Sequence, residues 1–165
     1  MLFRSERTLG VLSREGIAPE RVEFLRYYPP PEQAHSGGGI EYLFRYHQID
    51  IALDPFPYNG MTTTCDALWM GVPVIARIGQ TPISRASFSL LANVGLPELA
   101  ADSPAKYTEI AVKLAQDLPR LAALRASLRA RMHASPLLDA ARFARNIEHA
   151  FRECWRAWCA SAPRP

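Results

Sequence analysis

Between Asp54 and Asp66 the chain reads Asp-Pro-Phe-Pro-Tyr-Asn-Gly-Met-Thr-Thr-Thr-Cys-Asp. Two prolines and the Asn59-Gly60 pair exclude a helix as far as residue 60. Three threonines then open one, predicted from about Thr62 to Met70 and stopped by Gly71. The first turn of a helix carries N–H groups with no intrahelical partner and the positive end of the macrodipole, which makes it an anion site. Thr62 and Thr63 add hydroxyl donors beside those amides, and Gly60 lets the backbone come close to a diphosphate. Asp66, one turn further in, can accept hydrogen bonds from ribose hydroxyls. A purely structural reading fits the same residues, because threonine is a common helix cap and Asn-Gly a common turn. The residues alone leave both readings open.

The elements around this segment must aim it. Ile49–Leu53 is mostly apolar and reads as a strand interior to a sheet. Its end points at residues 54–64, and ligands of open parallel sheets sit beyond the carboxyl ends of the strands. Val72–Ala76 reads as a second buried strand, and Arg21–Leu25 alternates like a third. The first 16 residues read as a helix with Leu9 and Leu12 on one face and Gly16 as its stop. Pro29–Pro31 and Gly37–Gly39 make residues 26–40 a loop. A short helix is expected over Ile40–His47. Ser84 is placed to cap a helix reaching Val94 and ended by Gly95. Beyond it the chain reads as helical. Tyr107, Ile110, Leu114 and Leu118 share one face, and Leu121, Leu124, Leu128 and Met132 another. Phe143, Ile147, Phe151, Trp155 and Trp158 line a third, on a C-terminal helix of about 138–158. Strands alternating with helices give the α/β class, a small parallel sheet with right-handed crossovers and a helical C-terminal cap. A complete doubly wound sheet has five or six strands, so this is a Rossmann-like half.

A length of 165 residues, 48% apolar and 21% charged, predicts a single globular domain over 1–165. No apolar run reaches the roughly 20 residues that span a bilayer. Charges already at Arg4, Glu6 and Arg7 do not suit a signal peptide, so a cytoplasmic protein with no membrane partner is expected. The net charge of +3, from 19 basic and 16 acidic residues, is too small an excess to imply nucleic acid. Cys65, Cys154 and Cys159 form no C-x-x-C pair and read as reduced thiols. His35, His47, His133 and His149 lack zinc-ligand spacing, so no metal site is expected.

The run from Asp54 to Pro73 resembles the signature of the O-linked N-acetylglucosamine transferase family, including its bacterial and SPINDLY-like members. The resemblance continues through Gly79, Ser84-Arg85, Gly95-Leu96-Pro97-Glu98-Leu99, Tyr107, Leu124-Arg125 and Ser135-Pro136-Leu137. Upstream it includes Gly16–Phe24, so it covers roughly residues 16–158. It implies a GT-B fold of two Rossmann-like halves, of which this chain is similar to the C-terminal, nucleotide-sugar-binding half. It implies that Thr62 and Thr63 hold the diphosphate with side chains and amides, and that Asp66 holds the ribose. Met61 stands where some members have histidine, which leaves only its backbone to serve. Tyr42 falls where many members have a histidine near the base and could stack on uracil, and Arg45 matches an arginine just after it. For both, packing on a surface helix is the competing account.

The loop holding Pro29–Pro31 and Gly37–Gly39 is longer than the family's usual link. The N-terminal Rossmann half, the tetratricopeptide repeats, and an upstream glutamine and lysine that serve the nucleotide have no counterpart here. The resemblance implies an inverting transferase that moves N-acetylglucosamine from UDP-GlcNAc to Ser or Thr of an acceptor protein, in the intact parent. Its donor would be UDP-GlcNAc or a related UDP- or GDP-sugar, with no cofactor, and no catalytic residue is assigned. The alternatives are a non-catalytic nucleotide-binding or protein-interaction module, or an inactive gene fragment.

Overall fold

The computed structural model describes residues 2–24 and 42–161. The chain divides into two compact units, Met1–Tyr42 and Leu43–Pro165.

In the first unit helix α1 spans Leu2–Arg14. It closes as the sequence predicts: Gly16 takes a φ of +78°, and the Ile17 N–H returns to Leu12 O at 2.9 Å. The expected strand at Arg21–Leu25 does not form among its described residues. Pro19 opens a 3-10 turn through Arg21 instead, and the Val22 N–H is spent on Pro19 O. Alternation over so few residues was a weak signal against a proline-led turn. Leu25, the loop expected over 26–40, and the start of the helix expected at Ile40 lie outside the described residues. Residues 42–44 are helical.

The second unit holds the sheet. Arg45–Gln48 is a 3-10 turn, followed by β1 at Ala52–Asp54 and α2 at Thr62–Trp69. Strand β2 is Val74–Arg77, α3 is Ala86–Asn93 and β3 is Ala100–Ala101. Three helices complete it: α4 at Pro104–Gln116, α5 at Leu118–Ala134 and α6 at Ala140–Ser161. The strands lie in the order β1-β2-β3, all parallel, with Ala52 opposite Val74 and Ala76 opposite Ala100. This is the expected α/β class, with a different set of strands. The third strand is β3, two alanines that carry no β-pattern of their own. β1 is an edge strand among the described residues, and Leu53 on it is 58% exposed. The interior position belongs to β2, whose Val74, Ile75 and Ala76 are all buried. An apolar run does not by itself separate edge from centre.

Helix α5 packs against α2 and α4 and buries Leu121, Leu124, Leu128 and Met132, the four residues its spacing put on one face. Leu118 leaves the face assigned to it with Tyr107, Ile110 and Leu114. Asp117 caps a new helix there by accepting the Arg120 N–H at 3.0 Å, with Pro119 in the first turn. Thr81, not Ser84, is the cap before α3; the two residues form a capping box around a 3-10 turn, and α3 proper begins at Ala86. From α5, Arg125 Nη1 donates to Ile49 O at 2.6 Å and to Asp50 O at 3.3 Å, which fixes the chain entering β1.

Gly71 ends α2 with a φ of +79°, and a Cβ there would stand 2.9 Å from the Arg125 carbonyl oxygen. Backbone conformation and backbone contact both forbid a side chain. Gly71→Ala is therefore expected to destabilise the chain by more than the roughly 1 kcal/mol that conformation alone costs, visible as a lowered midpoint in urea unfolding. An unchanged midpoint would show that α2 and α5 separate without cost.

Candidate functional site

The loop leaving β1 runs from Pro55 to Met61 across the carboxyl end of the sheet. Asn59 anchors it and is fully buried. Its N–H reaches Ile83 O at 3.3 Å, and its Nδ2 donates to Arg77 O at 3.0 Å, at the end of β2. Gly60 comes next, and a Cβ on it would fall 2.6 Å from Thr63 Oγ1 and 2.7 Å from Thr64 Oγ1. Glycine is required here for closeness: the chain turns so tightly into α2 that two threonine hydroxyls occupy the side-chain position.

Helix α2 starts without a side-chain cap. Its N-cap residue is Met61, 62% exposed, and it offers no acceptor. The first helical hydrogen bond is from Cys65 N–H to Met61 O at 3.0 Å, so the amides of Thr62, Thr63 and Thr64 precede any helical acceptor. Thr62 and Thr63 are exposed. Thr64 turns inward, 3% exposed, and its hydroxyl is 3.0 Å from Ser87 Oγ. Asp66 stands half-buried one turn beyond Thr62 and Thr63 and shares their face by helical spacing. The structure thus brings Gly60, Met61, Thr62, Thr63 and Asp66 together at one helix end, at the carboxyl edge of a parallel sheet.

Arg45 opens the 3-10 turn whose next residue, Tyr46, is buried and donates its hydroxyl to Thr63 O at 3.3 Å. That bond ties the turn carrying Arg45 to the first turn of α2. Tyr42 belongs to the first unit, where it is half-buried in helical backbone.

Two cavities flank the turn. One of about 140 Å³ is bounded by Tyr46, Asp54, Thr63 and Thr64. A larger one of about 530 Å³ runs along Phe56, Tyr58, Arg77, Arg85 and Asp102. The Arg77 guanidinium lies 5.5 Å over the Phe56 ring, and its Nε is buried without a hydrogen-bond partner. Two groups near the site hold their protons more tightly than usual. Burial, then the charge of Asp66, pushes the Cys65 thiol up, which keeps it an inert thiol at neutral pH. Burial, then the carboxylate of Asp54, raises the Tyr107 hydroxyl.

Sequence reasoning passed over Asp54, Asn59, Tyr46 and Ser87. Asp54 could have been found, being the acidic residue that ends β1. Ser87 carries no local sign, since its partners stand 23 to 33 residues away.

A parallel sheet with an uncapped helix start at its carboxyl edge defines a Rossmann-like unit. Its particular form is shared with a solved structure described as "Thermobaculum terrenum O-GlcNAc transferase mutant - K341M". The two superpose with a TM-score of 0.83 at 38% identity, over 96% of this chain and 29% of that one. The fold is therefore the C-terminal Rossmann-like half of a GT-B glycosyltransferase. The model of glycosyl transferase family 41 matches residues 33–147, and the chain belongs to that family. A Solanum lycopersicum relative described as "Probable UDP-N-acetylglucosamine--peptide N-acetylglucosaminyltransferase SPINDLY" is 42% identical over 93% of this chain. A Caenorhabditis elegans "UDP-N-acetylglucosamine--peptide N-acetylglucosaminyltransferase" is 29% identical over 90% of it. The chain spans 16% of the first relative's length and 12% of the second's.

Proposed function

We propose that residues 43–161 are the nucleotide-sugar half of a protein O-GlcNAc transferase, binding UDP-GlcNAc or a related UDP- or GDP-sugar. In the intact parent the sugar passes to a Ser or Thr hydroxyl of an acceptor protein, with inversion. The observation that carries this reading is the uncapped start of α2, with the amides of Thr62–Thr64 and the exposed hydroxyls of Thr62 and Thr63 side by side. Departure of the nucleoside diphosphate builds negative charge, and preorganised donors stabilise that charge without moving. Asp66 accepts from the ribose. Arg45, tied to α2 through Tyr46, serves the base. Tyr58, two residues before Gly60, lines the larger cavity, which supports a place for the sugar on that side. No base is assigned to this chain. The acceptor side of the site and the tetratricopeptide repeats fall to the part of the parent that the chain does not span.

Among the described residues no helix is long and apolar enough to cross a membrane. The three cysteines are free thiols, which supports the cytoplasm as the compartment.

Isothermal titration of the 165-residue protein with UDP tests the reading. Saturable binding at micromolar to low millimolar UDP is expected, together with no detectable transfer of GlcNAc from UDP-GlcNAc to peptide. Absence of binding at millimolar UDP would leave the non-catalytic interaction module as the better account, and robust transfer by this chain alone would refute the division of labour between halves.

A further inference from the structure

Gly60 is held at both of its backbone groups. Its N–H donates to Asp54 Oδ1 at 3.0 Å, and its C=O faces Ser87 Oγ at 2.9 Å. Ser87 is the second residue of α3 and is fully buried. Its hydroxyl also donates to Asp54 Oδ2 and stands 3.0 Å from Thr64 Oγ1. A hydroxyl has one proton and two lone pairs. The Ser87 proton is thus shared between two acceptors, Asp54 Oδ2 and Gly60 O, while Thr64 donates its own to the Ser87 oxygen. One side chain from α3 therefore joins the end of β1, the turn and the first turn of α2.

The peptide plane turns this into a statement about the site. In a trans peptide the C=O of one residue and the N–H of the next point in opposite directions. With the Gly60 C=O drawn inward by buried Ser87, the Met61 N–H faces away from Ser87, and Met61 itself is exposed. We propose that Ser87 is a positioning residue for anion binding: it fixes the Gly60–Met61 peptide, so that the Met61 amide joins those of Thr62 and Thr63. Asp54 completes the clamp and also takes the Gly60 amide out of the donor set. The inference rests on the nucleotide-sugar reading for its ligand, and on geometry alone for the clamp.

Two measurements on the 165-residue protein test it, with UDP and inorganic pyrophosphate as probes. In Ser87→Ala the amide resonances of Gly60, Met61 and Thr62 should shift and their hydrogen exchange accelerate. Both probes should bind about tenfold more weakly, the worth of one hydrogen bond's positioning. A serine with only a packing role would lower the melting temperature and leave the affinity of the folded protein unchanged, which would overturn the proposal. If Ser87→Ala does not fold, Ser87→Cys keeps the volume with a weaker donor and is read in the same way. If wild-type protein binds neither probe, the nucleotide reading fails; unmoved Gly60 and Met61 amides in the variant would then refute the clamp, and shifted ones would uphold it.

Discussion

Replacing Thr62 and Thr63 together by alanine is expected to weaken UDP binding at least about a hundredfold. Each hydroxyl that donates to a charged oxygen is worth about 1.5–3 kcal/mol. Two together exceed roughly 2.8 kcal/mol, and every 1.4 kcal/mol is a factor of ten. Stability should hold or rise. Both side chains are exposed, alanine is the better helix former, and the Thr63 carbonyl still receives the Tyr46 hydroxyl. The two single variants allot the effect between the residues, and titration of each with UDP reads it. A double variant within threefold of wild type would mean that the amides act alone, with the hydroxyls as bystanders. The effect of salt reads the term that the amides carry. Affinity carried mainly by the helix end should fall as ionic strength rises, because the macrodipole is screened.

The start of α2 was legible because several local signals agree there. Two prolines and Asn-Gly stop the preceding chain, three threonines follow, and Gly71 closes the helix with the positive φ a glycine stop implies. The face of α5 was legible for the same kind of reason: four apolar residues at helical spacing, all buried. What stayed hidden depends on partners distant in sequence. β3 is two alanines that become a strand only because β2 offers unpaired groups beside them. Leu53 looks like core and lies on an edge, since exposure of a strand depends on its neighbours and not on its own residues. Asp54 reads as the first residue of a turn, and only Ser87, 33 residues on, shows it to be one side of a clamp on Gly60. Sequence thus singles out Gly60–Asp66, the stretch proposed to meet a ligand. It conceals the groups that hold that stretch still, which three separate elements contribute.

Leu128→Ala should produce the reverse of the threonine double variant. Leu128 is fully buried on α5, a helix that packs on α2 and meets its C-terminal end, where Arg129 Nε donates to Trp69 O. Truncating a buried leucine removes its transfer free energy and leaves a cavity, costing about 2–5 kcal/mol. For a chain of this size each kcal/mol lowers the melting temperature by about 2–4 °C, so a fall of roughly 4–20 °C is expected in a thermal scan. At a temperature where the variant is still folded, its affinity for UDP should match wild type. The turn is fixed by Asp54, Asn59 and Ser87, and none of those bonds passes through α5. The pair of variants therefore separates scaffold from site: one lowers the melting temperature and spares affinity, the other lowers affinity and spares the melting temperature. If Leu128→Ala lost affinity in its folded state, α2 would owe its orientation to helix packing, and the bonds at its N-terminus would be consequences of that orientation and not its cause.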